Sequence, residues 1–178
     1  AYDASRVAIL KRINTFIKTK VPDAYVILEH FCDNTEEKEL ATNGMMIWGN
    51  ANFNFSEASM GYNDNNKSNF SSIFPTSRGY TEPLLIGYME SHDEERNMYR
   101  NITFGNSSGS YNVRNLNTAL ARVEAAATVF FTVPGPKMIW QFGERGYDIP
   151  LNFGGSNVAN KPPHWEYMLV PERVHLYN

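Results

Sequence analysis

The sequence predicts an α/β fold in which parallel strands alternate with helices. Three observations carry this. Four short apolar runs, near residues 25, 45, 84 and 138, have the length of buried strands. The segments between them show helical periodicity and no hairpin turns, which is repeated βα organisation. The runs also break abruptly into charge, as a parallel strand does where its C-terminal end opens into a site. The sharpest break follows Leu84-Leu85-Ile86: Gly87-Tyr88-Met89-Glu90-Ser91 leads into five consecutive ionisable side chains, His92 to Arg96. A strand passing into a solvated loop gives the same local pattern. Its recurrence at Tyr25-Val26-Ile27-Leu28-Glu29-His30 favours a site.

In chain order, residues 3 to 20 read as a helix. Val7, Leu10, Ile13, Phe16 and Ile17 share one face, and Asp3 or Ser5 is placed to cap the start. Pro22-Asp23 breaks it. After the run at 25, Asp33-Asn34 caps a short helix through Leu40. The run Gly44 to Trp48 ends in Gly49-Asn50. Residues 52 to 73 are polar, with a turn at Asn63-Asp64-Asn65-Asn66 and helical pieces flanking it. Gly105 to Ser110 reads as a flexible connection. Leu116 to Phe131 is the clearest helix, with Leu116, Leu120, Val123, Ala127 and Phe130 on one side, stopped by Val133-Pro134-Gly135-Pro136. The fourth run is Met138 to Glu144. Residues 145 to 170 read as a long loop, and Leu176-Tyr177-Asn178 as a helix barely begun.

Composition narrows the function classes. The chain has 178 residues, 42 % of them hydrophobic, enough for one domain with a sizeable core. A net charge of −3 leaves no electrostatic footprint for nucleic acid. No apolar run is long enough to span a membrane. The single cysteine, Cys32, excludes an internal disulfide. Nothing in the sequence assigns a compartment. His30, Cys32 and Asp33 are adjacent but lack the spacing of a zinc site, so no metal is expected there. Gly143-Glu144-Arg145-Gly146 lacks the Lys-Ser/Thr ending of a phosphate loop.

Taken in register, Tyr25-Val26-Ile27-Leu28-Glu29-His30-Phe31, Tyr88-Met89-Glu90-Ser91-His92-Asp93 and Ile139-Trp140-Gln141-Phe142-Gly143-Glu144 resemble the fifth, seventh and eighth strands of the α-amylase family of glycoside hydrolases. Met45 to Asn50 resembles the sixth strand. Trp165-Glu166-Tyr167, with Pro171-Glu172-Arg173 and Leu176-Tyr177, resembles the lead into the final helix. The resemblance spans the chain. It implies residues 1–178 as the second half of a (β/α)8 TIM barrel, four parallel strands with helices, from the fourth helix to the start of the eighth.

The resemblance also implies roles. Glu29 matches the general acid/base, Asp93 the carboxylate that stabilises the transition state, and His92 a sugar-binding histidine. Trp48 and Tyr88 are candidate substrate contacts. The family's nucleophile, in an Arg-x-Asp motif, has no match, so the chain is expected to be inactive alone. The implied substrate is a starch-like α-glucan or oligosaccharide cleaved with retention, with no organic cofactor. Calcium is common in the family, but no calcium site is expected here. Glu29 would need an apolar setting to stay protonated, with Phe31 and the Tyr25–Leu28 strand expected to help provide it. Glu90, Glu94, Glu95 and Arg96 are expected to be supporting or solvated charges. Half a barrel would leave sheet edges bare, so the chain is expected to self-associate or be marginally stable. Other readings are a glucan transferase or branching-type enzyme of the family, a non-catalytic carbohydrate-binding or scaffolding protein, and an unrelated open α/β domain with a ligand at its strand ends.

Overall fold

The structure is a computed structural model that describes all 178 residues. It has a four-stranded parallel sheet with helices, and the strands lie in the order β1-β2-β3-β4. They are β1 (Ile27–Leu28), β2 (Met46–Asn50), β3 (Leu85–Tyr88) and β4 (Lys137–Met138). The helices are α1 (Ala4–Lys20), α2 (Asn34–Thr42), α3 (Asn52–Met60), α4 (Asn97–Phe104), α5 (Leu116–Thr132) and α6 (Pro171–Tyr177). No helix is long and apolar enough to cross a membrane. The chain forms two compact units. One comprises 1–49, 71–87 and 133–137; the other comprises 50–70, 88–132 and 138–178.

The first unit holds the body of the sheet with α1 and α2. Register is set by Ile27 opposite Met46 and Leu28 opposite Ile47. The ladder continues through Ile47 N to Leu84 O at 2.9 Å and Gly87 N to Pro136 O at 3.1 Å. Val7, Val26, Leu40, Ala41, Met45, Ile47, Tyr80 and Leu85 make one apolar core, with Leu10, Ile17, Leu28 and Leu84 packed on it. Gly49 permits this closeness, since a Cβ there would stand 3.1 Å from Leu85 Cγ. Asp3 caps α1 as expected, accepting from the amides of Ser5 and Arg6 at 2.9 and 3.2 Å.

The buried side of α1 differs from the expected stripe. It runs Val7, Leu10, Asn14, Ile17, while Ile13 and Phe16 stand 45 % and 65 % exposed. Asn14 is admitted to the interior because its amide nitrogen donates to Asn43 O at 2.9 Å.

The second unit is helical. α3, α4 and α5 pack on one another, and α6 packs on α5. Met98, Ala119, Leu120 and Val123 form an apolar cluster joined by Ile102 and Leu176. Leu116, expected on this face, is 38 % exposed, and Ala119 takes the inward position. Helix α4 has no counterpart in the sequence reading, because its buried residues include Asn97 and Asn101. Both are answered by α3: Ser56 Oγ donates to Asn97 Oδ1 at 2.5 Å and Ser59 Oγ to Asn101 Oδ1 at 2.9 Å. A hydrogen-bonded polar seam therefore replaces the apolar period that marks a core helix.

The later chain also departs from expectation. The fourth run leaves the ladder after Met138. Ile139, Trp140 and Phe142 instead line an apolar cavity of about 460 Å³ with Val123 and Phe130. Residues 145–170 are the long loop expected, broken by short 3-10 turns and anchored where Tyr147 and Tyr167 are buried, with Tyr147 Oη donating to Pro162 O at 2.6 Å. Helix α6 starts at Pro171, the position where proline's missing N–H is harmless.

Replacing Asn101 by Leu removes two buried hydrogen bonds, from Ser59 Oγ to Asn101 Oδ1 and from Asn101 Nδ2 to Ala119 O at 3.3 Å, and leaves Ser59 Oγ with Ser56 O at 3.1 Å. Loss of about 1–3 kcal/mol is expected, read from urea denaturation followed by circular dichroism.

Candidate functional site

The residues after β3 sort themselves by which charges are tied down. Glu90 is buried and accepts from Arg96 Nη1 and the Asn97 amide, both at 2.8 Å. Its burial pushes its carboxyl up from the usual range, against the pull of Arg96. Arg96 is buried too. It donates to Gln141 O at 2.8 Å and lies over the Tyr147 ring at 4.7 Å. Glu94 accepts from Ser91 Oγ, Asn50 Nδ2 and, at 3.3 Å, Tyr88 Oη. Glu95 Oε1 accepts from the amides of Leu151 at 2.7 Å and Arg96 at 2.9 Å. Glu90 and Arg96, expected to be supporting or solvated charges, are thus a buried ion pair.

His92 and Asp93 are the more exposed pair. Their side chains are 46 % and 60 % exposed, with His92 Nε2 at 3.5 Å from Asp93 Oδ2. The His92 ring lies 6.0 Å from Trp140, tilted by 49°. Together with residues of 149–161, Lys161 among them, they line a cavity of about 280 Å³. A half-exposed imidazole and carboxylate beside an indole can hydrogen-bond a polyhydroxylated ligand while an apolar ring face stacks on it. Trp140 is only partly buried and belongs to this wall.

The turn carrying His92 and Asp93 is held from behind. Asn52 Nδ2 donates to Met89 O at 2.8 Å and to Glu95 O at 2.9 Å, bridging the two ends of the turn. Tyr88, a candidate substrate contact, is fully buried at 0 % exposure and supports Glu94 instead of facing a ligand.

In the first unit, Glu29 is exposed at the residue after β1. The apolar enclosure expected around it is not built by its neighbours: Tyr25, Ile27 and Phe31 are 78 %, 51 % and 50 % exposed. Trp48, in β2, meets Phe31 edge-on at 6.5 Å. Phe31 adopts a left-handed backbone, φ 47°, a costly state for a non-glycine residue that its surroundings must enforce. Two buried acids do so. His30 Nε2 lies 2.6 Å from Glu36 Oε1, and the Cys32 amide donates to Glu37 Oε1 at 3.0 Å.

Glu36 also accepts from Arg6 Nε at 2.6 Å, Arg6 Nη2 at 2.8 Å and the Asp3 amide at 3.1 Å. Arg6 chiefly holds its carboxyl down at about 2, despite burial. Glu37 pairs with Arg78. Asp33 does not join His30 and Cys32; it caps α2 by accepting from the Thr35 amide at 2.9 Å. Glu36 takes its place, and the ligand atoms of His30, Cys32 and Glu36 lie within 4.8 Å of one another. Sequence reading passed over Glu36 because a glutamate in the first turn of a helix is ordinary.

No protein-family model matches the chain, and no curated protein matches its sequence.

Two outcomes follow from these carboxylates. Arg96→Met leaves Glu90 buried without its cation and should cost about 3–5 kcal/mol, measured by chemical denaturation. Glu36 ionises more readily folded than unfolded, so its stabilisation is full above the ordinary value of 4.5 and is lost as pH falls towards about 2. Melting temperatures recorded from pH 6 to pH 2 should fall less steeply for Glu36→Gln than for the parent chain.

Proposed function

We propose that the chain is the second half of an α-amylase-type (β/α)8 catalytic barrel, acting on α-linked glucans with retention of configuration. The observation that carries this is the placement of His92 and Asp93. Both are exposed after β3 and line a cavity beside the Trp140 indole, whereas Glu90 of the same turn is buried against Arg96. On this reading His92 hydrogen-bonds the sugar. Asp93 opposes the positive charge that develops on the ring carbon as the glycosidic bond breaks. Glu29, following β1, protonates the leaving oxygen and later activates water. The nucleophilic carboxylate, which the Arg-x-Asp motif would supply, is not matched in these residues.

The exposure of Glu29 favours a second reading, a carbohydrate-binding protein without catalysis. The apolar enclosure typical of a glycosidase general acid is not built here, since Tyr25 and Phe31 beside Glu29 are exposed as well. Hydrolysis and transfer to a second sugar share one intermediate, so a glucan transferase fits the same residues.

The test is titration of the chain with maltooligosaccharides, followed by tryptophan fluorescence and calorimetry. Saturable binding is expected, weakened about tenfold or more by Asp93→Ala or Trp140→Ala, equivalent to at least about 1.4 kcal/mol. Glu29→Gln should leave affinity within a few-fold. Absence of binding to any α-glucan would remove both the enzymatic and the binding reading. Turnover by the 178 residues alone would overturn the assignment of the nucleophile elsewhere.

A further inference from the structure

Three groups of different chemistry converge beside the strained turn that follows β1. They are the imidazole of His30, the thiol of Cys32 and the carboxylate of Glu36, with ligand atoms all within 4.8 Å. The His30 side chain is 7 % exposed and that of Glu36 is 0 % exposed, whereas Cys32 lies at the surface. Two ligands are therefore fixed in the protein and the third is reachable from solvent. The left-handed Phe31 between His30 and Cys32 turns the chain at this point.

We propose that His30, Cys32 and Glu36 bind a single thiophilic divalent cation of the zinc type, independently of any glycosidase activity. Thiolate, imidazole and carboxylate with a solvent-facing fourth position is a zinc donor set. Calcium and magnesium prefer all-oxygen sites and are not selected by it. His30 Nε2, Glu36 Oε1 and Cys32 Sγ supply three bonds, and water supplies the fourth. Binding displaces the thiol proton and any proton held between His30 Nε2 and Glu36 Oε1. Those two atoms are 2.6 Å apart in the unliganded turn. Metal bonds near 2.0–2.1 Å at tetrahedral angles require about 3.3 Å between them, so the imidazole must draw back by several tenths of an ångström.

Arg6 acts in both directions. Its guanidinium holds Glu36 through two hydrogen bonds, which fixes the carboxylate where a metal would meet it. The same positive charge opposes the incoming cation. The set of Cys32, Glu36 and Arg6 keeps a net single negative charge, so affinity falls below that of a structural four-thiolate zinc site.

The experiment uses the chain purified without a polyhistidine tag and titrated with Co²⁺, then Zn²⁺. One equivalent of Co²⁺ should bind with a thiolate-to-cobalt charge-transfer band, and Zn²⁺ should displace it. Cys32→Ser should abolish that band, and His30→Ala should weaken Zn²⁺ binding at least tenfold. Cys32 is exposed, so the serine variant is expected to fold, with far-ultraviolet circular dichroism as the check. Zn²⁺ should raise the melting temperature of the parent chain and not of Cys32→Ser. Absence of saturable binding, binding without a thiolate band, or binding unchanged by both substitutions would each overturn the proposal.

Discussion

A carboxylate buried behind a strand exit has to be met by a cation in place, and the turns after β1 and β3 are each built on that requirement. Glu36 meets Arg6, and Glu90 meets Arg96. Each carboxylate also takes a backbone amide, from Asp3 and Asn97 respectively. Neither pair is strong evidence of stability by itself, because desolvation offsets much of the attraction. What each pair supplies is geometry. With both oxygens engaged, the acid has one position, and the backbone attached to it is held there.

The consequence differs between the two turns. Behind β3, Glu90 ties Met89–Ser91 to the start of α4, and Asn52 closes the same turn by accepting no alternative: its amide nitrogen reaches Met89 O and Glu95 O together. The chain between is short and locked at both ends, so His92 and Asp93 are displayed on a rigid support, the condition for pre-organised recognition. Behind β1, Glu36 and Glu37 grip His30 and the Cys32 amide on either side of Phe31. The left-handed backbone of Phe31 is tolerated because its two neighbours are fixed. Phe142, past β4, has the same backbone character at φ 58°, next to the Gln141 carbonyl that Arg96 holds.

Much of this was legible in the sequence, and the exceptions have a common cause. Strand positions, the Asp3 and Asp33 caps and the extent of α5 follow from apolar runs and capping chemistry that act locally. Helix α4 and the buried side of α1 were not legible, because Asn97, Asn101 and Asn14 occupy interior positions where a period search expects apolar residues. Their burial depends on Ser56, Ser59 and the Asn43 carbonyl, which no local window contains. The same holds for the candidate site. His92 and Asp93 became candidates from their setting after an apolar run, which a local window contains. That Glu90 is buried whereas Asp93 is exposed depends on Arg96 and Asn52, and Tyr88 is enclosed where an open aromatic was expected. The role of Glu36 shows the limit most plainly, since its partners Arg6 and His30 lie 30 and 6 residues away.

This division bears on how far a pattern of charge after a strand can be read as function. The run His92 to Arg96 holds five ionisable groups, yet Glu94 and Glu95 are consumed by hydroxyl and amide donors and Arg96 by Glu90 and a carbonyl. An acid whose oxygens are saturated by the protein serves a ligand only by releasing one of those partners, as Glu36 would have to release His30. Charge after a strand is therefore a weaker guide than exposure at a cavity. His92 and Asp93 are the exposed pair after β3 and line the cavity beside Trp140. After β1, Glu29 is exposed, whereas Glu36 is a buried anion fixed by Arg6, with His30 and Cys32 beside it. The proposed sugar contacts and the proposed metal ligands are different residues, so either proposal can fail without the other.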